Sequence, residues 1–247
     1  VETTGFNAQA NRIIELAAIG VRRNFEGKAE IWKEMDVYCK LPDGRKIPEK
    51  IVELTGITDQ MLAEQGISED EMAAQFAEIM IGEDSADFFE SLKGTLLVAH
   101  NAQFDLNFTG FLYVLQMVHD KEGPQYRKWL NEFNDADYLD TLTVYKDRAA
   151  YPHKLANAIE HYGLQGKVVN SHRAIDDVKA LLEVAKAMGR ERDDLRDYIN
   201  IFGYNPKYGA SGRRLKKVAY VEQPFRDGIA LPDQTLPALV AKGGGAK

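Results

Sequence analysis

The stretch that most constrains the fold is residues 95–99, Thr-Leu-Leu-Val-Ala. It is a continuous apolar run, too short for a buried helix, so it reads as a strand covered on both faces. A strand covered on both faces needs helices on both sides, which implies a layered α/β architecture. Upstream, residues 13–21 and 29–39 read as two further strands. The turn Asn24-Phe25-Glu26-Gly27 between them suggests a hairpin.

The rest of the chain supplies helices. Pro48 opens a short one, since its missing N–H costs nothing in a first turn, and Thr55-Gly56 ends it. Ser68 and Glu71 form a capping box ahead of an amphipathic helix running to about Ile81. Further helices are expected at 86–92, 103–119, 125–133, 140–149 and 153–162, with Gly163 closing the last. The helix at 174–188 is the clearest, with Ile175, Val178, Leu181, Leu182 and Ala185 on one face. The expected architecture is a mixed β-sheet flanked by helices.

The expected organisation is one domain over 1–198, a C-terminal arm over 199–240 and a disordered tail over 241–247, which is low in complexity. The arm interleaves Tyr204, Tyr208 and Tyr220 with Arg213, Arg214, Lys216 and Lys217. Such a pattern can track a nucleic-acid strand. An arm that packs its aromatics on the domain and leaves a basic edge in water is the favoured reading.

At 247 residues the chain is long enough for one elaborated α/β domain. No apolar run approaches the ~18 residues needed to span a bilayer, and the opening residues lack the basic start and apolar stretch of a signal peptide. Cys39 is the only cysteine, so no internal disulfide forms and a reducing cytoplasm fits. The net charge of −7 argues against a protein that coats nucleic acid, though not against an enzyme that grips one strand end.

Three segments carry the chemistry: Glu2-Thr3-Thr4-Gly5, His100 to Asp105 (His-Asn-Ala-Gln-Phe-Asp), and His172 to Asp177 (His-Arg-Ala-Ile-Asp-Asp). Each alone has a plain reading. Glu2 is a solvated acid, Asp105 a helix cap, His100 and Asn101 loop residues, and Asp176 and Asp177 first-turn acids favoured by the helix dipole. Together they have another reading. Phosphodiester hydrolysis by two divalent ions about 3.5–4 Å apart needs converging carboxylates. Magnesium and manganese prefer the oxygen ligands that Asp and Glu supply. The attacking water needs a proton acceptor, and an imidazole suits that role. His172 and Asp177 are separated by about 140° around an ideal helix. His172 must therefore lie at or before the first turn, with Asp177 one turn inside, and Ser171 or Asn170 serves as the cap.

The three segments together resemble the exonuclease motifs of the DEDDh family of 3′–5′ exonucleases, which includes the proofreading subunits and domains of replicative DNA polymerases. Leu139-Asp140-Thr141-Leu142 and His153 to Asn157 also resemble that family, and the similarity covers roughly 1–188. The resemblance implies a ribonuclease H-like fold and two ions, Mg2+ or Mn2+. Glu2, Asp105 and Asp177 would hold metal and His172 would activate water. Thr3, Thr4, Gly5 and Phe6 would contact the terminal nucleotide, with Phe6 a wedge beside its base. His100 and Asn101 are further substrate-binding candidates or scaffolding, and Asp140 is read as a helix cap. The implied substrate is a single-stranded or frayed 3′ end of DNA, with a DNA polymerase as a partner. RNA is the alternative substrate, and a catalytically dead binding module is the reading of another class.

The family's first aspartate lies two residues before its glutamate. Here that position would precede Val1, so the N-terminal strand is expected to be truncated and a free α-amino group to stand near the site. The chain as it stands is then expected to bind metal weakly, and restoring the strand with its Asp to give activity.

Overall fold

The computed structural model describes residues 1–8, 10–81, 95–117 and 137–201, and elements are numbered over these residues. Strands β2 (Ile13–Arg23) and β3 (Ala29–Tyr38) form the expected antiparallel hairpin. The turn works as its residues suggest. Asn24 Oδ1 accepts the N–H groups of Glu26 and Lys28, both at 3.0 Å, and Gly27 takes a φ of 77° that few other residues tolerate. The pairing register shifts between Gly20 and Val21. Gly20 is needed there because the Trp32 indole lies across it: a Cβ would meet its Nε1 at 2.4 Å. On the other edge of β2, the two-residue β1 (Glu2–Thr3) pairs antiparallel, with Glu2 opposite Glu15.

A second sheet consists of β4 (Leu96–Ala99) and β5 (Asp137–Asp140), paired in parallel. The strand β5 was not expected, because acids at both its ends interrupt the apolar signal. All four of its residues are nonetheless buried, and the acids are hydrogen-bonded. Strand β4 is half-buried rather than fully covered. It lines, with β2, a cleft of about 560 Å³ whose walls include Leu16, Ala18, Gly20, Leu97 and Val98.

Helices α1 (Glu49–Thr55), α2 (Asp59–Gln65) and α3 (Glu69–Ile81) follow the hairpin. Pro48 caps α1 at its start and Gly56 at its end, with φ 73°. Helix α2 was not anticipated; the Thr58 side chain caps it by accepting the Met61 N–H at 3.2 Å. Ser68 accepts the Glu71 N–H at 3.1 Å, half of the expected capping box. The later helices are α4 (Ala102–Met117), α5 (Thr141–Arg148), α6 (Leu155–His161) and α7 (Ala174–Glu191). The hairpin with α3 and α4 encloses one core around Leu16, Met35, Met72 and Phe108. A second core joins β5, α5, α6 and α7 through Leu139, Val144, Ile159, Val184 and Met188.

A mixed α/β fold with helices packed on its sheets is therefore the class observed, as the alternation of signals suggested. The packed fold runs on to Ile201, which is buried. Asn200 donates its N–H to the Tyr138 carbonyl at 2.8 Å and accepts the Tyr138 N–H at 3.0 Å. The expected helices at 86–92 and 125–133 lie outside the described residues. So do the arm beyond 201, with Tyr204, Tyr208, Arg213, Arg214, Lys216, Lys217 and Tyr220, and the tail at 241–247. No helix among the described residues is long and apolar enough to cross a membrane.

Candidate active site

Three elements from distant parts of the chain bring the acidic candidates together. Strand pairing with β2 fixes Glu2, Asp105 lies in the first turn of α4, and Asp177 is the fourth residue of α7. The α-amino group of Val1 sits among them and donates to Asp105 Oδ1 at 3.0 Å. Burial works against this ammonium, but the charge of Asp105, followed by Glu2 and Asp177, outweighs it and raises its pKa. Glu2 shows the same crowding. Burial pushes its carboxyl up to about 7; the Val1 ammonium opposes this, while Asp177, Glu15 and Asp105 add to it. Burial also raises Asp177, against the pull of His172 and of the Asn170 amide, which donates to its Oδ1 at 2.6 Å.

His172 is exposed and lies two residues ahead of α7. Its backbone takes a left-handed φ of 57°, uncommon for a residue with a side chain. This is the placement that the helical angle required: His172 before the first turn, Asp177 one turn inside. The cap differs from expectation. Arg173 is the N-cap residue and makes no side-chain cap bond. Ser171 instead donates to Asp176 at 2.5 Å, and Asn170 to Asp177. The first helical N–H, that of Ala174, is met by Glu15 Oε2 at 2.7 Å, from the buried first half of β2.

The segment after Glu2 is a tight loop. The Thr3 hydroxyl donates to the Gly5 carbonyl at 2.8 Å, and Thr4 Oγ1 donates to Asn11 Oδ1 at 3.2 Å while accepting the Arg12 N–H at 3.0 Å. Gly5 has no room for a side chain, since a Cβ would stand 2.7 Å from Asn11 Oδ1. Phe6 is 89% exposed, with its ring centre 6.3 Å from that of Phe104, whose ring centre lies 5.1 Å from that of Phe108. An aromatic column thus rises from the core to a solvent-facing ring beside the acids.

His100 is held by the scaffold at the edge of the cleft, and Asn101, itself exposed, is tied to it through its backbone. His100 Nδ1 is 3.0 Å from Thr141 Oγ1, and its Nε2 is 3.0 Å from the His153 carbonyl, so that nitrogen carries the proton. Burial lowers the His100 pKa. Asn101 adopts φ 71° and donates its backbone N–H to Asp140 Oδ1 at 2.9 Å. Asp140 does cap α5, through the Leu142 N–H at 3.1 Å, but it also accepts from Ala102 and Thr143. Sequence reasoning missed this second role and missed Glu15 altogether. A lone acid inside the otherwise apolar residues 13–21 was the available signal.

Among the described residues, no three acidic, histidine or cysteine side chains form a ready-made cage for one ion. The donor set nevertheless fits a hard divalent cation. Glu2, Asp105 and Asp177 offer oxygens only, and all three line the same cleft. Cys39, buried with its thiol pushed up to about 12, offers no thiolate.

Carboxylates that line one cleft near an exposed imidazole, on sheets flanked by helices, define a ribonuclease H-like nuclease. The chain matches the exonuclease family RNase_T over residues 1–185 and belongs to that family. It is 30% identical to the DNA polymerase III subunit epsilon of Treponema pallidum over 187 residues, covering 76% of this chain and 73% of that protein. It is 29% identical over 213 residues to the PolC-type DNA polymerase III of Clostridium perfringens, covering 84% of this chain but only 12% of the polymerase. Its fold resembles that of E. coli exonuclease I in complex with a dA16 oligonucleotide. The TM-score is 0.59 at 23% identity, covering 80% of this chain and 41% of the other.

Proposed function

We propose that this chain is a 3′–5′ exonuclease that removes nucleotides from the 3′ end of DNA, with Mg2+ or Mn2+ held in a pair by Glu2, Asp105 and Asp177. The observation that carries the reading is that these three acids, from β1, α4 and α7, line one cleft, with His172 just ahead of α7. When bound, the ions supply charge neutralisation and Lewis acidity at the scissile phosphate. The chain's own residues do the rest. His172, exposed and ahead of α7, accepts the proton of the attacking water at an imidazole nitrogen. Asp177 lies close enough to interact with the charge of that imidazole. The oxygen attacks phosphorus, the bond to the 3′ oxygen of the shortened strand breaks, and that oxygen leaves to be protonated from solvent.

The loop of Thr3, Thr4 and Gly5 presents its backbone to the terminal nucleotide, and Phe6 stacks on its base. Stacking is tolerant of sequence, which suits an enzyme that shortens any strand. The substrate proposed is a single-stranded or frayed 3′ end, and the working partner a DNA polymerase. Relatives named as polymerase III components support this. The buried, protonated Cys39 supports a cytoplasmic setting.

The test, like those that follow, uses the chain extended upstream of Val1 by a strand ending in the family's first Asp, called wild type from here on. Its substrates are matched single-stranded DNA and RNA oligonucleotides, with Mg2+ or Mn2+. Stepwise loss from the 3′ end of DNA, abolished by chelation, is expected. Preference for RNA would move the assignment to an exoribonuclease, and loss from the 5′ end would refute it.

A further inference from the structure

We propose that Glu15 and Arg173 are positioning residues that hold His172 in its working conformation; the inference rests on the exonuclease reading of His172. Glu15 is the third residue of β2 and has no exposed surface. A buried carboxylate demands partners; its N–H donors come from the start of α7, and the Asp36 side chain of β3 is hydrogen-bonded to it as well. Glu15 Oε1 accepts from Arg173 Nε at 2.9 Å and from Nη2 at 2.7 Å, while Oε2 accepts the Ala174 N–H at 2.7 Å. The guanidinium also donates to the Tyr38 hydroxyl and lies 5.1 Å over that ring. Both residues that immediately follow His172 are therefore bolted to the sheet.

The consequence falls on His172. Its left-handed φ of 57° is an unfavoured state that persists only where the surroundings impose it. Its side chain is exposed, so no packing around the ring can set its direction. The imposed backbone does so. Glu15 is also the register partner of Glu2, so the same pair of strands sets both a candidate metal ligand and the anchor of the imidazole. Released from Glu15, the start of α7 frays, and His172 relaxes to a common backbone state that carries its ring away from the reacting water.

The experiment compares wild type, Arg173→Ala, Arg173→Lys, His172→Ala and the double variant Arg173→Ala/His172→Ala on single-stranded DNA. Arg173 is partly exposed, so removing it spares the fold better than truncating the buried Glu15. Misplacement of a reacting group by about 1 Å costs on the order of a hundredfold in rate. Arg173→Ala should therefore lower kcat by about that much with KM little changed. Arg173→Lys should recover only part, because an ammonium cannot reproduce the fork. His172→Ala should cost far less in the Arg173→Ala background than in wild type, since the imidazole is already misplaced. The amide of Ala174 should exchange with solvent faster in Arg173→Ala.

If His172→Ala impairs the enzyme while Arg173→Ala keeps wild-type kcat, or if the two effects simply multiply, the positioning role is refuted and the exonuclease reading stands. If wild type itself is inactive on every strand end, the reading fails. Unchanged Ala174 exchange in Arg173→Ala then removes the latch as well.

Discussion

Asn101 and Asp140, 39 residues apart, are joined by a 2.9 Å hydrogen bond from the Asn101 N–H to the carboxylate that caps α5. The same carboxylate takes the N–H groups of Ala102 and Leu142 and the hydroxyl of Thr143. One buried acid thus sets the start of two helices, and the first of them, α4, carries Asp105. Asp140→Ala leaves four donors without an acceptor in a site that is 3% exposed. The expected loss is about 3 kcal/mol of stability, from the cost of orphaned buried donors. Asp140→Asn keeps an acceptor and should cost about 1 kcal/mol. Denaturant midpoints of the two variants check the order.

Metal affinity should rise with pH. A Glu2 carboxyl pushed up to about 7 holds a proton below that pH, and a cation must displace it. Mn2+ titrations are expected to show tighter binding at pH 8 than at pH 6, with proton release at the lower pH. Glu2→Gln should weaken binding and flatten the dependence. A steeper dependence in the variant would show that another group governs it.

His100 gives stability a pH dependence of the same sign. Its pKa is lowered by burial in the fold, so the unfolded chain binds the extra proton more readily. Its contribution is complete above the ordinary imidazole value of about 6.5 and is lost as pH falls through the lower folded value. Thermal unfolding between pH 7 and pH 5 should show this slope, and His100→Gln should reduce it.

Phe6 separates substrate contact from stability. At 89% exposure it contributes little to the core, so Phe6→Ala should leave the melting temperature within a degree or two. Losing one base-stacking contact, worth about 1–3 kcal/mol, should raise KM roughly tenfold. A fall in kcat with unchanged KM would place the ring outside the substrate path.

Local chemistry was legible in the sequence, and long-range pairing was not. The Asn24–Gly27 turn and the Gly56 helix end each depend on residues within one or two turns, and each formed as read; α7 formed too, but of its expected stripe only Leu181 and Ala185 are buried, and its core face centres on Ala180, Val184, Ala187 and Met188. The three acidic segments were legible for the same reason, as short patterns. Strand β5 escaped because Asp137 and Asp140 look solvated until Asn200 and the start of α4 are known to satisfy them. The cap of α7 escaped because its acceptor, Glu15, lies 159 residues before Ala174. A tertiary acceptor removed the need for a local one, which freed Ser171 and Asn170 to bind Asp176 and Asp177.

The most direct measurement follows the length of a 5′-labelled single-stranded DNA with Mn2+ present, for wild type and for Asp177→Asn. Convergence of Glu2, Asp105 and Asp177 on shared ions predicts a descending ladder of labelled products with wild type. It predicts at least a hundredfold slower shortening with Asp177→Asn, on the scale of losing a transition-state charge clamp. Equal rates for the two proteins, or shortening that persists in excess chelator, would contradict it.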